Sequence, residues 1–310
     1  CYTERAWWGL IEQPLILHSP RMSAKQAATA ARELINEGAS VRLIERGVCG
    51  QEASWAGGGI ISPLYPWRYS DAVTALASWA QDFYPRLVDS LRAETGIDPE
   101  LDAHGLLVLA SEDRRRAIDW SERHGRRVEV LSASDIRARN PLLRVDELEG
   151  LWMPQVASVR NPRLLQALKA SLSLSARFQL QERCSVEKIE EREGGAAVSF
   201  VSAGRVPGRI SSRRVIVTAG AWSGELLQKS GIELPIEPVK GEMLLYRAER
   251  GTLDSIVLSN GRYLIPRRDG HILAGSTLEY AGFDKSINAS SRASLQESAI
   301  GMLPQLASLQ

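Results

Sequence analysis

A short apolar strand that ends in an acidic residue and leads into a glycine cluster constrains this chain more than any other feature. Residues 40–44 are rich in apolar side chains and are followed by Glu45, and a run of small residues spans 53–59. In a dinucleotide-binding βαβ unit, an acidic residue at the end of the second strand accepts a hydrogen bond from the adenosine ribose. Glycines carry no Cβ and let the main chain approach a bulky ligand. The stretch therefore predicts the second half of a nucleotide site.

The first half of such a site is not recognisable in the sequence. A dinucleotide-binding unit needs glycines about 20 residues before the acid, and residues 10–37 contain no glycine. Aligned on Glu45, the glycine positions are held by other residues, namely Met22, Ala24 and Ala27. We therefore expect the first strand, at about 16–21, and the glycine fingerprint to be disrupted. Residues 1–30 are interpreted as an aberrant N-terminal segment.

The composition argues against several classes of protein. The 38 basic and 37 acidic residues nearly cancel, so neither nucleic acid nor an anionic membrane surface is an expected partner. No apolar run approaches the roughly 18 residues that a spanning helix requires. The three cysteines and four histidines have no spacing typical of a disulfide framework or a metal site. We expect a cytoplasmic protein that holds no metal.

Hydrophobic periodicity indicates an α/β fold. A helical stripe from Ala27 to Ile35 stops at Gly38, and a longer one runs over 71–95, where Pro85 predicts a kink or a break. From residue 186 onward the period shifts towards two, which is typical of a mostly antiparallel series of strands.

A second nucleotide-binding signal lies at 215–224, which reads VIVTAGAWSG. The apolar strand runs into a tight turn of small residues and then into a helix that we expect to begin near Ala221. A buried strand, a small-residue turn and a helix N-terminus together suit the close approach of a dinucleotide.

Three polar residues of the C-terminal third could carry chemistry. Tyr263 lies in a predicted strand, where a tyrosine is more often structural than catalytic. Arg267 and Arg268 could bind a substrate carboxylate in bidentate fashion, but they flank a turn, which favours solvated charges. The sequence contains no nucleophile elbow, metal cluster or phosphate-binding lysine loop. The chemistry is therefore expected to come from a bound organic cofactor.

Four segments together resemble one known family, the FAD-dependent D-amino-acid oxidases, and within it the glycine oxidases of thiamine biosynthesis. They are ERGVCGQEASWAGGGIISPLYPW at 45–67, VTAGAWSGELL at 217–227, PVKGEMLLYR at 238–247 and YLIPRRDGHILAGSTLEYAGFDK at 263–285. Each segment alone is weak evidence, but the set is specific.

The resemblance implies an α/β fold in which a Rossmann-like FAD-binding domain is interleaved with a substrate domain built on an antiparallel sheet. The FAD-binding domain is expected at 31–90 and 151–230, and the substrate domain at 91–150 and 231–310. The implied cofactor is FAD. The implied reaction is oxidative deamination of glycine or a small amino acid or amine, with hydride passing to the flavin and oxygen as the acceptor. The implied partner is a small amino-acid substrate, and a homo-oligomer is possible.

The resemblance also implies roles for single residues. The adenosine ribose would be held by Glu45 and Arg46, and the adenine would meet the main chain at Val186. Residues expected to line the pyrophosphate and flavin are Ala53, Ser54, Gly58, Gly59 and Ile60. A further group is expected near the cofactor: Thr218, Ala219 and Gly220. The substrate pocket would be faced by two residues, Tyr263 and Leu278.

Two other interpretations stay open at this point. The chain could be a D-amino-acid dehydrogenase that passes electrons to a quinone. It could also be a non-catalytic fragment of the oxidase, because family members continue past the position of Gln310 with the strand that carries a carboxylate-binding arginine. Without that strand and the glycine fingerprint, we expect poor binding of FAD.

Overall fold

The computed structural model of the chain describes residues 15–19, 24–109, 112–146 and 149–309. Helices within these ranges are α1 (Ala24–Asn36), α2 (Ala53–Ala56), α3 (Asp71–Thr95), α4 (Arg114–His124), α5 (Ala133–Arg139), α6 (Asn161–Ser173), α7 (Ser223–Gln228) and α8 (Ala289–Met302). Short 3-10 turns lie at Pro66–Arg68, Gly220–Trp222 and Pro304–Ser308.

Strands alternate with these helices over the same described ranges. In chain order they are β1 (Leu15–Ser19), β2 (Val41–Glu45), β3 (Leu101–Asp102), β4 (Leu106–Val108), β5 (Glu129–Ser132), β6 (Glu149–Met153), β7 (Ser158–Val159), β8 (Phe178–Gln181), β9 (Cys184–Arg192), β10 (Gly195–Ser202), β11 (Val206–Ser212), β12 (Val215–Val217), β13 (Met243–Arg247), β14 (Ile256–Ser259), β15 (Arg262–Pro266) and β16 (His271–Gly275).

The chain divides into two compact units. The first contains the described residues up to Gly57 together with Leu91–Pro99 and Asn161–Pro238. The second contains Gly58–Ser90, Glu100–Arg160 and the residues from Val239 onward. These divisions fall at other positions than the sequence-based ones, and residues 58–90 lie in the second unit. The assignment of one unit to FAD and the other to substrate stays a prediction.

The first unit is built on four parallel strands in the order β12-β1-β2-β8. The central strand is β1, whose residue Ile16 pairs with Val215 on one side and Arg42 on the other. The expectation of a disrupted first strand is therefore wrong for the main chain. Residues 15–19 read LILHS, and the apolar Leu-Ile-Leu run suits a central parallel strand. Strand pairing needs main-chain groups and does not depend on the glycines expected after it.

Helix α1 packs on this sheet through small side chains. Its buried residues are all alanines, namely Ala24, Ala27, Ala28 and Ala31, and the helix contacts α6, β1 and β2. Small residues let a helix approach a sheet closely, which is the role of the third fingerprint glycine in a dinucleotide fold. The predicted stop is confirmed, since the helix ends at Asn36 and Gly38 has a φ of +91°.

The first unit also carries a three-stranded antiparallel sheet in the order β11-β10-β9. Gly194, with a φ of +74°, makes the turn between β9 and β10. The sheet packs on a small apolar core that includes Ile44, Val186, Ala219 and Leu226. That core lies next to the end of β2 and the start of α7, so it supports the part of the chain that carries the candidate cofactor residues.

The second unit is built on a mixed sheet of seven strands in the order β13-β16-β15-β14-β4-β6-β5. Only β14 and β4 pair in parallel within this described sheet, and its other pairs are antiparallel. Two apolar clusters pack against it, one centred on residues such as Leu107 and Leu264 and the other on Leu106 and Ile265. Helix α8 contacts β13, β15 and β16. The predicted antiparallel sheet is confirmed here.

Helix α3 runs without interruption through Pro85. The predicted break is therefore wrong. Proline removes one main-chain hydrogen bond and kinks or ends many helices, but the ring of Pro85 lies on an exposed side, and Leu87, Val88 and Leu91 beyond it are buried. Their burial stabilises the continuation of the helix.

Among the residues that the structure describes, no helix is long and apolar enough to span a bilayer.

Candidate functional site

The carboxyl ends of three parallel strands meet at one edge of the first unit's sheet. The strand register pairs Ser19 with Glu45 and His18 with Val217. Glu45 and Thr218, the residue after β12, therefore flank the end of β1. Ligands of open parallel sheets bind at this edge, so the two sequence signals for a nucleotide site lie at the same place.

Glu45 is a buried carboxylate that the main chain orients. It is 2% exposed, and its Oε1 accepts a hydrogen bond from the N–H of Gly47 at 2.8 Å. An ionised carboxylate has lone pairs for several donors. A buried acid at the end of the second strand, with one oxygen held by a main-chain donor, suits a hydrogen bond from a ribose hydroxyl.

A small groove lies beside the end of β2. The guanidinium of Arg46 stacks over the ring of Trp222 at 5.1 Å from its centroid. The groove has a volume of about 50 Å³ and is lined by Arg46, Ser185, Val186, Trp222, Glu225, Leu226 and Lys229. A planar aromatic wall, an arginine and the start of a strand suit a flat heterocycle such as adenine. Sequence reasoning missed Trp222, although it stands in the turn that was singled out.

The loop after β2 is fixed by hydrogen bonds and packing. The N–H of Cys49 donates to Oε1 of Glu182 at 2.8 Å, and Lys169 pairs with the same carboxylate at 3.2 Å. Gly50 has a φ of +90° and a Cβ there would lie 3.1 Å from Leu165. Burial raises the pKa of the Cys49 thiol to about 12, so this cysteine is not a nucleophile at neutral pH. The loop is a rigid support for the groove.

Ser54 lies at the N-terminus of α1. Its hydroxyl accepts a hydrogen bond from the main-chain N–H of Lys25 at 3.4 Å. The Nζ of Lys25 donates to Oδ1 of Asn161 at 3.4 Å, and Nδ2 of Asn161 donates to the carbonyl of Gly57 at 2.8 Å. Ala53 and Ser54 thus lie next to a helix end whose dipole favours a negative charge. That is where a pyrophosphate lies in dinucleotide folds.

The described residues of the first unit fit the adenosine end of FAD. The buried carboxylate of Glu45 suits the ribose, and the groove at Trp222 suits the adenine. Of the three fingerprint positions, Ala24 and Ala27 are buried alanines, and Met22 lies outside the described residues. The turn between β1 and α1, which would meet the pyrophosphate, also lies outside them.

The turn after β12 is as tight as predicted. Ala219 is fully buried, and Gly220 has a φ of +52°. The expected helix start near Ala221 is preceded by a 3-10 turn at Gly220–Trp222, and α7 begins at Ser223. This geometry places the small residues against the core, beside the edge that Glu45 marks.

In the second unit, residues 58–61 run alongside β7. The carbonyl of Gly59 accepts from the N–H of Val159 at 2.9 Å, and the N–H of Ile61 donates to Ala157 at 2.8 Å. A Cβ on Gly58 would lie 2.7 Å from Cδ1 of Ile265, closer than packing allows. A side chain at Gly58 would therefore require the tip of Ile265 to shift, so the protein's own packing already favours a glycine here.

Tyr263 and Leu278 differ in their surroundings. The Tyr263 ring is 8% exposed and belongs to an apolar core, and its hydroxyl donates to Sδ of Met243 at 3.4 Å. A Cβ on Gly275 would lie 2.8 Å from that ring. Leu278 follows β16 and is 68% exposed. Contact of either residue with a substrate stays a prediction.

The two arginines at the β15–β16 turn have separate partners. Arg268 is exposed, as expected, and its Nε pairs with Asp102 at 2.5 Å. Arg267 is half-buried, and its Nη2 donates to the carbonyl of Gly58 at 2.7 Å. The expectation of a solvated charge is wrong for Arg267. Both arginines follow the end of β15 at Pro266, and the partner of Arg267 lies 209 residues away in sequence, so no local pattern reveals it.

Comparisons with known proteins identify the family to which the chain belongs. The family model of the FAD-dependent oxidoreductases called DAO matches residues 27–310. A glycine oxidase of Pseudomonas aeruginosa is 49% identical over 280 residues, which cover 90% of this chain and 76% of that protein. A glycine oxidase of Pseudomonas putida is 48% identical and is covered to 72%; the match spans 86% of this chain.

A solved structure has the same fold. The crystal structure of glycine oxidase from Geobacillus kaustophilus superposes with a TM-score of 0.87 at 26% sequence identity, over 97% of this chain and 80% of that one. The predicted α/β fold and the predicted FAD cofactor are thereby confirmed. The family model matches most of the chain, and a known glycine oxidase is nearly half identical to it. This chain therefore belongs to the DAO family of FAD-dependent oxidoreductases.

Proposed function

We propose that this chain catalyses the oxidation of glycine or a small amine, with oxygen as the electron acceptor. The observation that carries the proposal is the 49% identity to a glycine oxidase over 90% of the chain. The balanced reaction converts glycine, oxygen and water to glyoxylate, ammonia and hydrogen peroxide. By its resemblance to the glycine oxidases of thiamine biosynthesis, the chain would supply the imine for the thiazole ring.

FAD, when bound, supplies the electron chemistry by accepting the substrate's α-hydrogen as a hydride. The chain's own residues bind and orient. Glu45 would accept the ribose hydroxyl, because its buried carboxylate already has one oxygen fixed by Gly47. The adenine would lie against the groove that Arg46 and Trp222 line, and the small residues at Ala53 and Ser54 would leave room for the pyrophosphate at the N-terminus of α1.

The substrate side depends on orientation rather than on proton transfer by a side chain. The amino group of the substrate needs to be unprotonated, and the substrate needs to be correctly placed over the flavin ring. Placement alone lowers the activation barrier of the oxidation substantially. The hydroxyl of Tyr263 donates to Met243, which suits a wall of the pocket better than a base. A homo-oligomer and a cytoplasmic location belong to the same proposal.

The expected poor binding of FAD stays a prediction, so the experiment is an acceptor comparison on the purified chain in the presence of excess FAD. Hydrogen peroxide is measured with glycine, sarcosine and D-alanine in air, and reduction of a quinone is measured without oxygen. We expect peroxide in proportion to glyoxylate. Quinone reduction without peroxide would favour a dehydrogenase instead, and a chain that binds FAD but turns over neither substrate nor acceptor would be non-catalytic.

A further inference from the structure

Two adjacent arginines of the second unit use their donors in different ways. Arg268 pairs with the carboxylate of Asp102. Arg267 donates instead to main-chain carbonyls, to Gly58 at 2.7 Å and, through a longer contact of 3.4 Å, to Val159. Its Nη1 also lies 3.5 Å from the hydroxyl of Ser158. The guanidinium therefore joins two segments that are far apart in sequence.

The segment that Arg267 holds is fixed more firmly at its far end than at Gly58. Ile61 is buried, and its carbonyl accepts a hydrogen bond from Nε2 of Gln81 at 2.9 Å. Residues 58–61 pair with β7 through the Gly59 carbonyl and the Ile61 N–H. The contact from Arg267 to the Gly58 carbonyl is 2.7 Å long and charge-assisted, which makes it about twice as strong as a neutral hydrogen bond. It fixes the segment at Gly58, the middle of the three consecutive glycines 57–59.

Placing a guanidinium here is energetically costly. Burial lowers the pKa of Arg267, and the positive charge of Arg160 lowers it further. Glu100 and Asp269 oppose this effect from a distance, while their direct contacts go to Arg160 at 3.1 Å and 2.7 Å. A rigid fork of donors that can bind two carbonyls at once is a reason to keep an arginine at such a position.

We propose that Arg267 is a positioning residue that holds the main chain of residues 58–60 in the conformation that receives the flavin. The inference rests on the proposed function and on the family resemblance, which implies that Gly58, Gly59 and Ile60 line the flavin. Arg267 acts through the Gly58 carbonyl and does not itself touch the substrate. Since it anchors the main chain of a segment, its loss affects that segment before it affects the fold.

The test compares Arg267→Gln with the matched neighbour Arg268→Gln, and adds Arg267→Lys, which keeps the charge but loses the fork. Hydrogen exchange of the peptide that covers residues 58–61 is measured without FAD, and FAD affinity is measured by titration. We expect Arg267→Gln to accelerate exchange in this peptide about tenfold and to weaken FAD binding by a similar factor. Arg267→Lys should show smaller changes in both hydrogen exchange and FAD affinity. Arg268→Gln should change neither.

The outcomes separate this inference from the function beneath it. If Arg267→Gln binds FAD as tightly as Arg268→Gln, Arg267 is no positioning residue, even when the wild-type chain oxidises glycine. Faster exchange without weaker binding overturns the inference too, because the segment is then loosened with no consequence for the flavin. A wild-type chain that binds no FAD overturns the proposed function and this inference with it. If Arg267→Gln does not fold, Arg267→Lys tests the inference by the same two measurements, hydrogen exchange of residues 58–61 and FAD affinity.

Discussion

The candidate residues of the two units are held in place by different means. In the first unit, Glu45 and Thr218 follow strands whose register brings them to one edge of a parallel sheet. In the second unit, Tyr263 lies within a strand and its ring is part of an apolar core, while Leu278 is largely exposed. Main-chain geometry places Glu45 and Thr218, whereas side-chain packing places Tyr263. Substitution of Glu45 should therefore act mainly on binding, and substitution of Tyr263 mainly on stability.

The largest effect is expected for Tyr263→Ala in the second unit. Removing a buried aromatic side chain costs about 3–5 kcal/mol of unfolding free energy, and the ring of Tyr263 fills the space between Gly58, Gly275 and Met243. Urea unfolding of the two proteins measures the difference. Tyr263→Phe removes only the hydroxyl and its contact with sulfur, so it should change stability by less than about 1 kcal/mol.

The pair of Tyr263 variants also tests the catalytic role. If Tyr263→Phe keeps its stability but loses turnover of the FAD-loaded enzyme, the hydroxyl has a chemical task and the description of Tyr263 as a packing residue is incomplete.

In the first unit, Glu45→Gln is expected to act on binding. A hydrogen bond to a charged group contributes about 1.5–3 kcal/mol, so FAD affinity should fall about 10- to 100-fold. The amide keeps an oxygen for the N–H of Gly47, so the thermal midpoint should change little. Titration with FAD measures the affinity, and the exposed Glu193→Gln of the same unit serves as control. Equal affinity in both variants would remove Glu45 from the site.

A smaller effect concerns the pH dependence of the second unit. Burial alone raises the pKa of Asp269, but hydrogen bonds from Arg160 and His271 outweigh it and lower the pKa to about 2. A carboxylate with a depressed pKa stabilises the fold above its unfolded value of 3.8, and this stability is lost as the pH falls towards 2. The side chain is 35% exposed, so we expect only about 1 kcal/mol after screening.

Urea unfolding between pH 6 and about pH 3 measures this contribution. Asp269→Asn should be less stable than the wild type at pH 6 and should approach it at the acidic end. A constant difference across the range would mean that the ion pairs of Asp269 contribute no net stability.

The smallest effect is expected for Arg46→Met at the groove of the first unit. The stacking of Arg46 on Trp222 shows that a cation–π contact, worth about 0.5–1 kcal/mol at an exposed site, is possible in this groove. We expect the guanidinium to make a contact of similar size with a bound adenine, so FAD should bind about two- to fivefold more weakly to the variant. Arg192→Met, on β9, is the matched control for loss of a positive charge. Equal titration curves for the two variants would show that the groove does not hold the adenine.

The sequence was most informative where the main chain determines the structure. The strand before Glu45, the stop at Gly38 and the turn at Thr218–Gly220 were all predicted from local patterns, because an apolar run and a glycine have few alternatives. The missing glycine fingerprint was misleading about the first strand. Residues 15–19 pair on both sides without it, since pairing depends on main-chain groups that any of these residues supplies.

Features that depend on contacts between distant parts of the chain could not be predicted. The hydrogen bond from Arg267 to Gly58 and the stacking of Arg46 on Trp222 join residues that no spacing rule connects. Pro85 continues a helix because residues after it are buried, which a local rule does not include. Burial and long-range pairing are properties of the folded chain.

The most direct measurement is a crystal structure of this chain with FAD, in which the distance between the Glu45 carboxylate and the nearer ribose hydroxyl is determined. We expect this distance to fall between about 2.5 and 3.0 Å, with the adenine ring against the groove that Arg46, Val186 and Trp222 line. A ribose beyond hydrogen-bond reach of Glu45, or an adenine bound elsewhere, would contradict the assignment of the adenosine end to this edge of the parallel sheet.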